Sequence, residues 1–292
     1  MSAAASLRKS EERLVEGEFA FTAENFSRIA SLMREQTGIY LSDAKATLVY
    51  SRLAKRLRQL GLANFDAYCA LIASSEGASE RNAMVAALTT NVTRFFREPH
   101  HFDHLREKVL PALLETARNG GRVRIWSSAC STGEEPYSIA LTMLQLLPDA
   151  ARYDVRILAT DIDPNVVATA KAGVYSAQAV EPIASALRER WMTREGGRSD
   201  GMWRVGDEMR ALIRFNTLNL IGEWPMKGRF DAIFCRNVVI YFEQSTQDVI
   251  WRRFHELLTP QGRLYVGHSE RVEAAGYASD GLTIYRLTRS AP

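Results

Sequence analysis

A chain of 292 residues that is 46% hydrophobic holds enough apolar material for one large domain or two unequal ones, at ~100–200 residues per domain. Its formal net charge of +3 is too small to imply a polyanionic partner for the protein as a whole. Three scattered cysteines, Cys69, Cys130 and Cys235, show neither C-x-x-C nor metal-ligand spacing, which excludes a disulfide framework and argues for a reducing compartment.

The first residues are Ala/Ser-rich and then charged, without an apolar signal core, and no stretch approaches membrane-spanning length. A soluble, cytoplasmic protein is expected, with residues 1–18 as a mobile tail. From 19 to 90 the patterns are helical, and a domain of four or so short helices without strands is expected. Thr22, Ser42 and Asn64 suit helix N-caps, and Gly38 and Gly61 suit helix stops. The segment from Ala44 to Leu60 contains no acid. Lys45, Arg52, Lys55 and Arg56 share one face of it, and Val49, Leu53, Leu57 and Leu60 an adjoining apolar face. Two readings fit the cations: a solvated face, or a docking face for an acidic protein partner. No interleaved aromatics support nucleic acid.

Residues 91–98 read as an ordered linker bearing Asn91, Thr93 and Arg97 around Phe95 and Phe96. It is either a segment hydrogen-bonded against a sheet or a lid across a cofactor pocket. His100, His101 and His104 follow. His100 and His104 have i, i+4 spacing, but no cysteine or second histidine pair accompanies them, so no metal is expected. A helix over 102–118 ends at Gly120-Gly121. Strands and helices then alternate: strand 122–127, helix 134–147, strand 154–160, helix 164–172, strand 230–235, helix 245–257 and strand 262–268, with a last strand at 282–287. That order is an α/β, mostly parallel sheet whose final two strands pair antiparallel. Between Gly173 and Asn219 the rhythm breaks. A helix near 183–190 precedes three β-like runs, Trp191–Thr193, Met202–Val205 and Leu212–Phe215, with a turn at Gly196–Gly201. A small antiparallel insert at about 188–215 is expected inside a catalytic domain spanning 99–292.

The chemistry concentrates where strand 122–127 runs through small residues, Ser127 to Gly133, into a helix with Pro136 in its first turn. Such a junction binds nucleotide-like ligands in open α/β sheets. The next strand ends in Asp161 and Asp163, placed to accept from ribose hydroxyls. No Gly-rich phosphate fingerprint is present. Glu134 and Glu135 stand where a pyrophosphate would lie, and two carboxylates repel phosphate but attract a cationic or amine-bearing ligand. S-adenosylmethionine has that chemistry; alternatively, the two acids only favour the positive helix terminus. Arg236 and Asn237 end strand 230–235 on the crevice side, where burial demands partners. Tyr241 lies just beyond as a site residue or core filler, and Asn219-Leu220 closes a strand-like run. His268 edges the same region.

The segments Asn91-Val-Thr-Arg-Phe-Phe-Arg97, Ser131-Thr-Gly-Glu-Glu-Pro-Tyr-Ser138, Ala159-Thr-Asp-Ile-Asp163, Asn219-Leu220 and Phe234-Cys-Arg-Asn-Val-Val-Ile-Tyr-Phe242 together resemble the CheR family. These are the S-adenosylmethionine-dependent methyltransferases of bacterial chemotaxis receptors, and the resemblance runs from about Phe19 to the C-terminus. It implies a class I, Rossmann-like methyltransferase domain with an N-terminal all-α domain and a small β-subdomain. It implies that Asn91, Thr93, Arg97, Glu134, Asp161, Asn219, Leu220, Arg236 and Asn237 contact the cofactor, with Glu135 as the alternative to Glu134, and that Arg97 and Tyr241 act on the acceptor. The implied reaction turns receptor glutamates into methyl esters and leaves S-adenosylhomocysteine. The implied partner is the cytoplasmic methylation region of transmembrane chemoreceptors, with recruitment to membrane receptor arrays, and the cationic face of Lys45, Arg52, Lys55 and Arg56 is expected to dock on it. Two other readings stay open on the residues alone: a methyltransferase for RNA or a small metabolite, and a non-catalytic S-adenosylmethionine sensor.

Overall fold

Two of the helices of the N-terminal region begin at residues whose side chains cap them. The computed structural model describes residues 13–196 and 201–288. Most of the expected tail and of the 196–201 turn lies outside them. Thr22 caps helix α1 (Ala23–Thr37) reciprocally: its Oγ1 accepts the Asn25 N–H at 3.2 Å, and Asn25 Oδ1 accepts the Thr22 N–H at 3.0 Å. Gly38 ends α1 in a left-handed conformation, φ 76°, that a side chain would strain. Helix α2 (Ala46–Leu60) starts later than expected, after a 3₁₀ turn at Asp43–Lys45, and Ser42 makes no side-chain cap bond there. Asn64 caps α3 (Phe65–Ala73) through the Ala67 N–H, and α4 covers Ala78–Leu88. Phe21, Ile29, Met33, Val49, Leu53, Leu57 and Phe65 are fully buried between these helices.

One expectation for this region fails. A two-stranded antiparallel ribbon pairs β1 (Arg13–Val15) with β2 (Phe21–Thr22). Strands of two and three residues are too short to show a two-residue alternation in sequence.

Contact within the chain separates two units, residues up to Thr90 with Tyr241–Glu243, and Asn91–Ile240 with Gln244 onward. In the first unit Ile39 bridges Phe242, the Tyr40 N–H donates to the Tyr241 carbonyl at 2.8 Å, and Arg34 pairs with Glu243 at 2.6 Å.

The basic face of α2 is not a row of free cations. The Arg52 guanidinium donates to the carbonyls of Ala87, Leu88 and Thr89 at 3.2, 3.0 and 2.7 Å, closing the C-terminal end of α4. A cation there satisfies orphan carbonyls and complements the helix dipole. Arg56 grips the buried Glu80 with Nε at 3.0 Å and Nη2 at 2.5 Å, and the Tyr68 hydroxyl donates to the same carboxylate at 2.9 Å. Lys55 is exposed, and the Lys45 ammonium lies 5.1 Å from the centroid of the Tyr241 ring. The sequence showed the cations but not their partners, which come from other helices.

The second unit opens with helix α5 over 100–118, interrupted by a π-helical turn at Leu105–Val109. Its seven-stranded sheet uses β3 (Val123–Ser127), β4 (Val155–Asp161), β8 (Ile213–Thr217), β9 (Phe230–Cys235), β10 (Leu258–Val266), β11 (Tyr277–Gly281) and β12 (Ile284–Leu287), in the order β11-β12-β10-β9-β3-β4-β8. The five strands from β10 to β8 are parallel. β12 lies antiparallel to β10 as expected, and β11, not foreseen, pairs antiparallel at the edge. The chain passes from β3 outward through β4 to β8, then returns to the other side of β3 with β9 and β10. The switch point therefore lies between β3 and β9, and open α/β sheets bind ligands outside the strands' carboxyl ends at such a point.

Helices α6 (Glu134–Leu146), α7 (Pro164–Ala172) and α10 (Gln244–Leu257) follow β3, β4 and β9, and α8 (Ser185–Trp191) and α9 (Asp207–Leu212) are shorter. The small antiparallel sheet is β5 (Val174–Ser176), β7 (Met202–Val205) and β6 (Met192–Glu195). Its composition differs from the expected one: the run near 212–215 belongs to β8 on the parallel edge, pairing Ile157 with Ile213 and Ala159 with Phe215. Alternating apolar residues satisfy either sheet equally, so periodicity cannot choose the partner.

Because Glu80 and Tyr68 depend on Arg56, Arg56→Ala should destabilise the helical unit by about 1.5–3 kcal/mol, the range for a hydrogen bond to a charged group. Urea unfolding measures it, and wild-type stability would return Arg56 to the solvent-facing cations.

Candidate active site

The loop from Ser128 to Gly133 is fixed by the strand ends on both sides of it. The Ser128 N–H and hydroxyl donate to the Phe234 carbonyl at 2.8 and 3.0 Å, on the β9 side. The Cys130 N–H donates to the Thr160 carbonyl at 2.8 Å, and the Ser131 N–H to Asp161 Oδ2 at 2.8 Å, on the β4 side. Ser131 adopts φ 48°, and Gly133 precedes α6 at φ 101°. A Cβ on Gly133 would lie 2.8 Å from the Tyr175 hydroxyl and 2.9 Å from Ala170 Cβ, so only glycine fits.

Glu134 and Glu135 are both buried, yet they have different partners. Glu135 accepts the Ser127 hydroxyl at 2.7 Å and the Arg236 guanidinium at 2.9 Å. Glu134 accepts the Thr132 hydroxyl at 2.7 Å and has no ion pair among the described residues. Burial raises the Glu134 carboxyl, partly offset by Thr132.

Asp161 is buried and accepts the Asp163 N–H at 3.1 Å besides that of Ser131. Burial pushes its carboxyl up and these N–H groups oppose the shift. Asp163 caps α7 through the Asn165 N–H and lies 3.3 Å from Asn91 Nδ2. The Asn91 carbonyl accepts the Ser131 hydroxyl at 2.8 Å, so the linker is stitched to the loop beside Asp161. Thr93 is half-buried on the same linker. The Leu218 N–H donates to the Asp161 carbonyl at 2.9 Å, which brings the following Asn219 and Leu220 towards this strand end. Asn219 Oδ1 accepts the Ile221 N–H at 3.1 Å, and the buried Leu220 gives its carbonyl to Trp224 and Arg253, each at 3.1 Å.

Arg236 and Asn237 leave β9 on the other side of the switch point. Arg236 is 6% exposed, and its guanidinium reaches Glu135, the Arg97 carbonyl and Glu98 Oε2, the last at 3.1 Å. Asn237 takes φ 58°, and its N–H donates to Glu270 at 2.8 Å. The backbone of Gly267 approaches so closely that a Cβ there would lie 2.4 Å from Asn237 Nδ2. Arg97 is half-buried, its Nη1 donating to the Val92 carbonyl at 2.9 Å. Tyr241 belongs to the helical unit.

Two acids escaped the sequence reading. Glu98 receives His268 and Arg236. Burial alone would raise its carboxyl, but those partners hold it down, to about 2. Glu270 accepts the backbone N–H groups of Gly267, Asn237, Val238 and Val239 and fixes the turn after β9. An acid three residues beyond a glycine at a strand end was the available signal for Glu270. His101, read as part of a solvated helix start, is fully buried against Thr283 at 2.9 Å.

A switch point between β3 and β9, an acid at the second strand's end and a glycine-bearing loop leading to two acids in the first turn of α6 fit a nucleoside site for a ligand without phosphates. The donor set fits S-adenosylmethionine: acids for its cationic groups and ribose, and a loop that admits close approach of the backbone.

Comparison with known proteins agrees. The family domain described as "CheR methyltransferase, SAM binding domain" matches residues 91–280, and "CheR methyltransferase, all-alpha domain" matches 24–89. The fold is thus that of an S-adenosylmethionine-binding class I methyltransferase with an all-α N-terminal domain. The chain is 53% identical over 260 residues to a "Probable chemotaxis protein methyltransferase" of Rhizobium etli, covering 88% of this chain and 97% of the relative. It is 43% identical over 269 residues to the "Chemotaxis protein methyltransferase" of Klebsiella aerogenes, with 91% and 90% covered. The Escherichia coli protein of the same name is 41% identical over 275 residues, with 92% and 93% covered. The chain belongs to the CheR methyltransferase family.

The buried histidines make stability pH-dependent. Burial, with Arg236 and His100 adding, depresses His101 from 6.5 to about 3. The unfolded chain takes up a proton below about 6.5 that the folded protein refuses until about 3, so stability is full above that window and falls on acidification. One such group gives about 1.4 kcal/mol per pH unit. His104, lowered by burial, and Glu98, lowered from 4.5 to about 2, act in the same direction. Denaturant unfolding near neutrality and at mildly acid pH should show the slope, and His101→Gln should flatten it. An unchanged slope would assign it to other groups.

Proposed function

We infer that the protein transfers the methyl group of S-adenosylmethionine to glutamate side chains of chemotaxis receptors, giving glutamate 5-O-methyl esters and S-adenosylhomocysteine. Membership of the CheR family carries this reading, supported by the names of relatives that align over about nine-tenths of the chain. The partner is the cytoplasmic methylation region of transmembrane chemoreceptors. Among the described residues no helix is long and apolar enough to cross a membrane.

Asp161 binds the ribose hydroxyls. Glu134, free of ion pairs among the described residues, faces the ligand's cationic part, while Glu135 is engaged by Arg236 and Ser127. Asn91, Thr93, Asn219, Leu220 and Asn237 line the pocket, and Arg236 holds its wall. Bound S-adenosylmethionine supplies a methyl group on a sulfonium. A glutamate side chain, with a pKa near 4.3, is already ionised at neutral pH, so the enzyme needs no general base. Its work is alignment and exclusion of water. Arg97 and Tyr241 orient the acceptor carboxylate. A tight ion pair from Arg97 would stabilise the ground state more than the transition state, because charge is lost as the bond forms. Lys45, in the turn before α2, and Lys55, on α2, carry the receptor contact, since Arg52 and Arg56 are engaged within the unit.

Incubation with methyl-labelled cofactor and receptor-containing membranes should place base-labile label on a receptor-sized band. Label on RNA or a small molecule instead, or no transfer, rejects the reading. Asp161→Ala should weaken cofactor binding by ~1.5–3 kcal/mol in calorimetry. Arg97→Ala and Tyr241→Phe should lower kcat with product affinity within a few-fold. Parallel collapse of affinity and rate would remove Arg97 and Tyr241 from the acceptor side.

A further inference from the structure

Arg97 lies between two residues with left-handed backbone, Phe96 at φ 52° and Glu98 at φ 59°. Neither is glycine, so the turn persists only where its surroundings over-determine it. Those constraints are specific. The Phe96 N–H donates to Ser138 Oγ at 2.9 Å, and the Arg97 carbonyl accepts Arg236 Nη2. Glu98 carries most of the fixing. Its Oε1 accepts the His268 N–H at 3.2 Å, lies 2.9 Å from His268 Nδ1 and takes Asn237 Nδ2 at 3.5 Å. Its Oε2 lies 3.1 Å from Arg236 Nη2 and 3.5 Å from His101 Nδ1. These groups come from residues just past the carboxyl ends of β9 and β10, and from α5. The residue after Arg97 is therefore tied to the carboxyl ends of β9 and β10, while the Arg97 guanidinium donates to the Val92 carbonyl of its own linker.

We propose that Glu98 is a positioning residue for methyl transfer, with His268 as its second anchor, presenting Arg97 to the acceptor carboxylate. The proposal rests on the role given to Arg97 above. The bland alternative is that Glu98 merely neutralises Arg236. Glu135 already does that at 2.9 Å, and His268 offers a way to separate the two roles. The His268 side chain is 65% exposed and bonds to Glu98, so its removal loosens Glu98 without emptying the core or touching Arg236. Held anionic by these partners, Glu98 stays a charged anchor throughout the neutral range.

The test is a mutant cycle read by receptor methylation with labelled cofactor. Glu98→Ala, Glu98→Gln and His268→Ala are each measured with Arg97 present and with Arg97→Ala. With Arg97 present, Glu98→Ala should lower kcat on the order of 100-fold, the loss that a misplacement of about 1 Å can cause. Glu98→Gln and His268→Ala should lose less, and calorimetric affinity for S-adenosylhomocysteine should stay within about a few-fold throughout. In the Arg97→Ala background the same changes should cost little more, because their route is already gone. Losses that multiply, or cofactor affinity falling with rate, overturn the proposal. Should Glu98→Ala fail to fold, the shape-preserving Gln variant and the exposed His268→Ala decide it alone. Wild-type kcat in Arg97→Ala by itself would instead refute the role of Arg97, and the proposal with it.

Discussion

Arg236 is buried, and three groups of the catalytic unit converge on the two terminal nitrogens of its guanidinium. A guanidinium without partners at that depth would cost several kcal/mol. Glu135 from the first turn of α6, Glu98 from the linker and the Arg97 carbonyl meet its Nη1 and Nη2. One side chain at the end of β9 thereby ties together a helix N-terminus, a strand end and the segment that enters the domain. Such a pair is weak support for stability, since apolar packing does as well, but it fixes geometry. Its place beside the switch point suggests that geometry is what it is kept for. Glu270 does the same by another route, taking four backbone N–H groups so that the turn after β9 keeps one shape.

The parallel sheet was legible because strands and helices alternate with long, distinct periods. Helix bounds were legible at Thr22, Gly38, Gly61 and Asn64, where local chemistry determines the end. What was not legible depends on partners distant in sequence. β8 reads like any half-buried strand, and only its register against β4 assigns it to the large sheet. β5 and the ribbon near the N-terminus are too short to carry a period. The cations of α2 show the same gap: their shared face follows from 3.6 residues per turn, but Glu80 and the last carbonyls of α4, which occupy Arg56 and Arg52, are not written into that helix.

In the site, acids at a strand end and at a helix start were legible because their chemistry depends on those positions. Asp161 and Glu134 are of this kind. Glu98 was not, since it sits beside Arg97 in a polar linker and gains meaning only when β9 and β10 converge on it. His101 was misjudged for a related reason. A histidine beside two others looks solvated in sequence, whereas the C-terminal strands and the Glu98–Arg236 cluster bury it completely.

Adjacent glutamates show why position along a helix separates chemistry from structure. Successive residues point about 100° apart, so Glu134 and Glu135 cannot face the same neighbours. Glu135 turns to Ser127 and Arg236 and becomes part of the wall. Glu134 turns to Thr132, with burial raising its carboxyl and no ion pair to answer it among the described residues. An acid left in that state is ready for a cation that arrives with a ligand. A phosphate would meet repulsion there, and the same loop with a Gly-rich turn and no acids would select the opposite partner. On the cofactor role proposed for Glu134, charge at the start of one helix selects a sulfonium nucleoside over a dinucleotide on this shared scaffold.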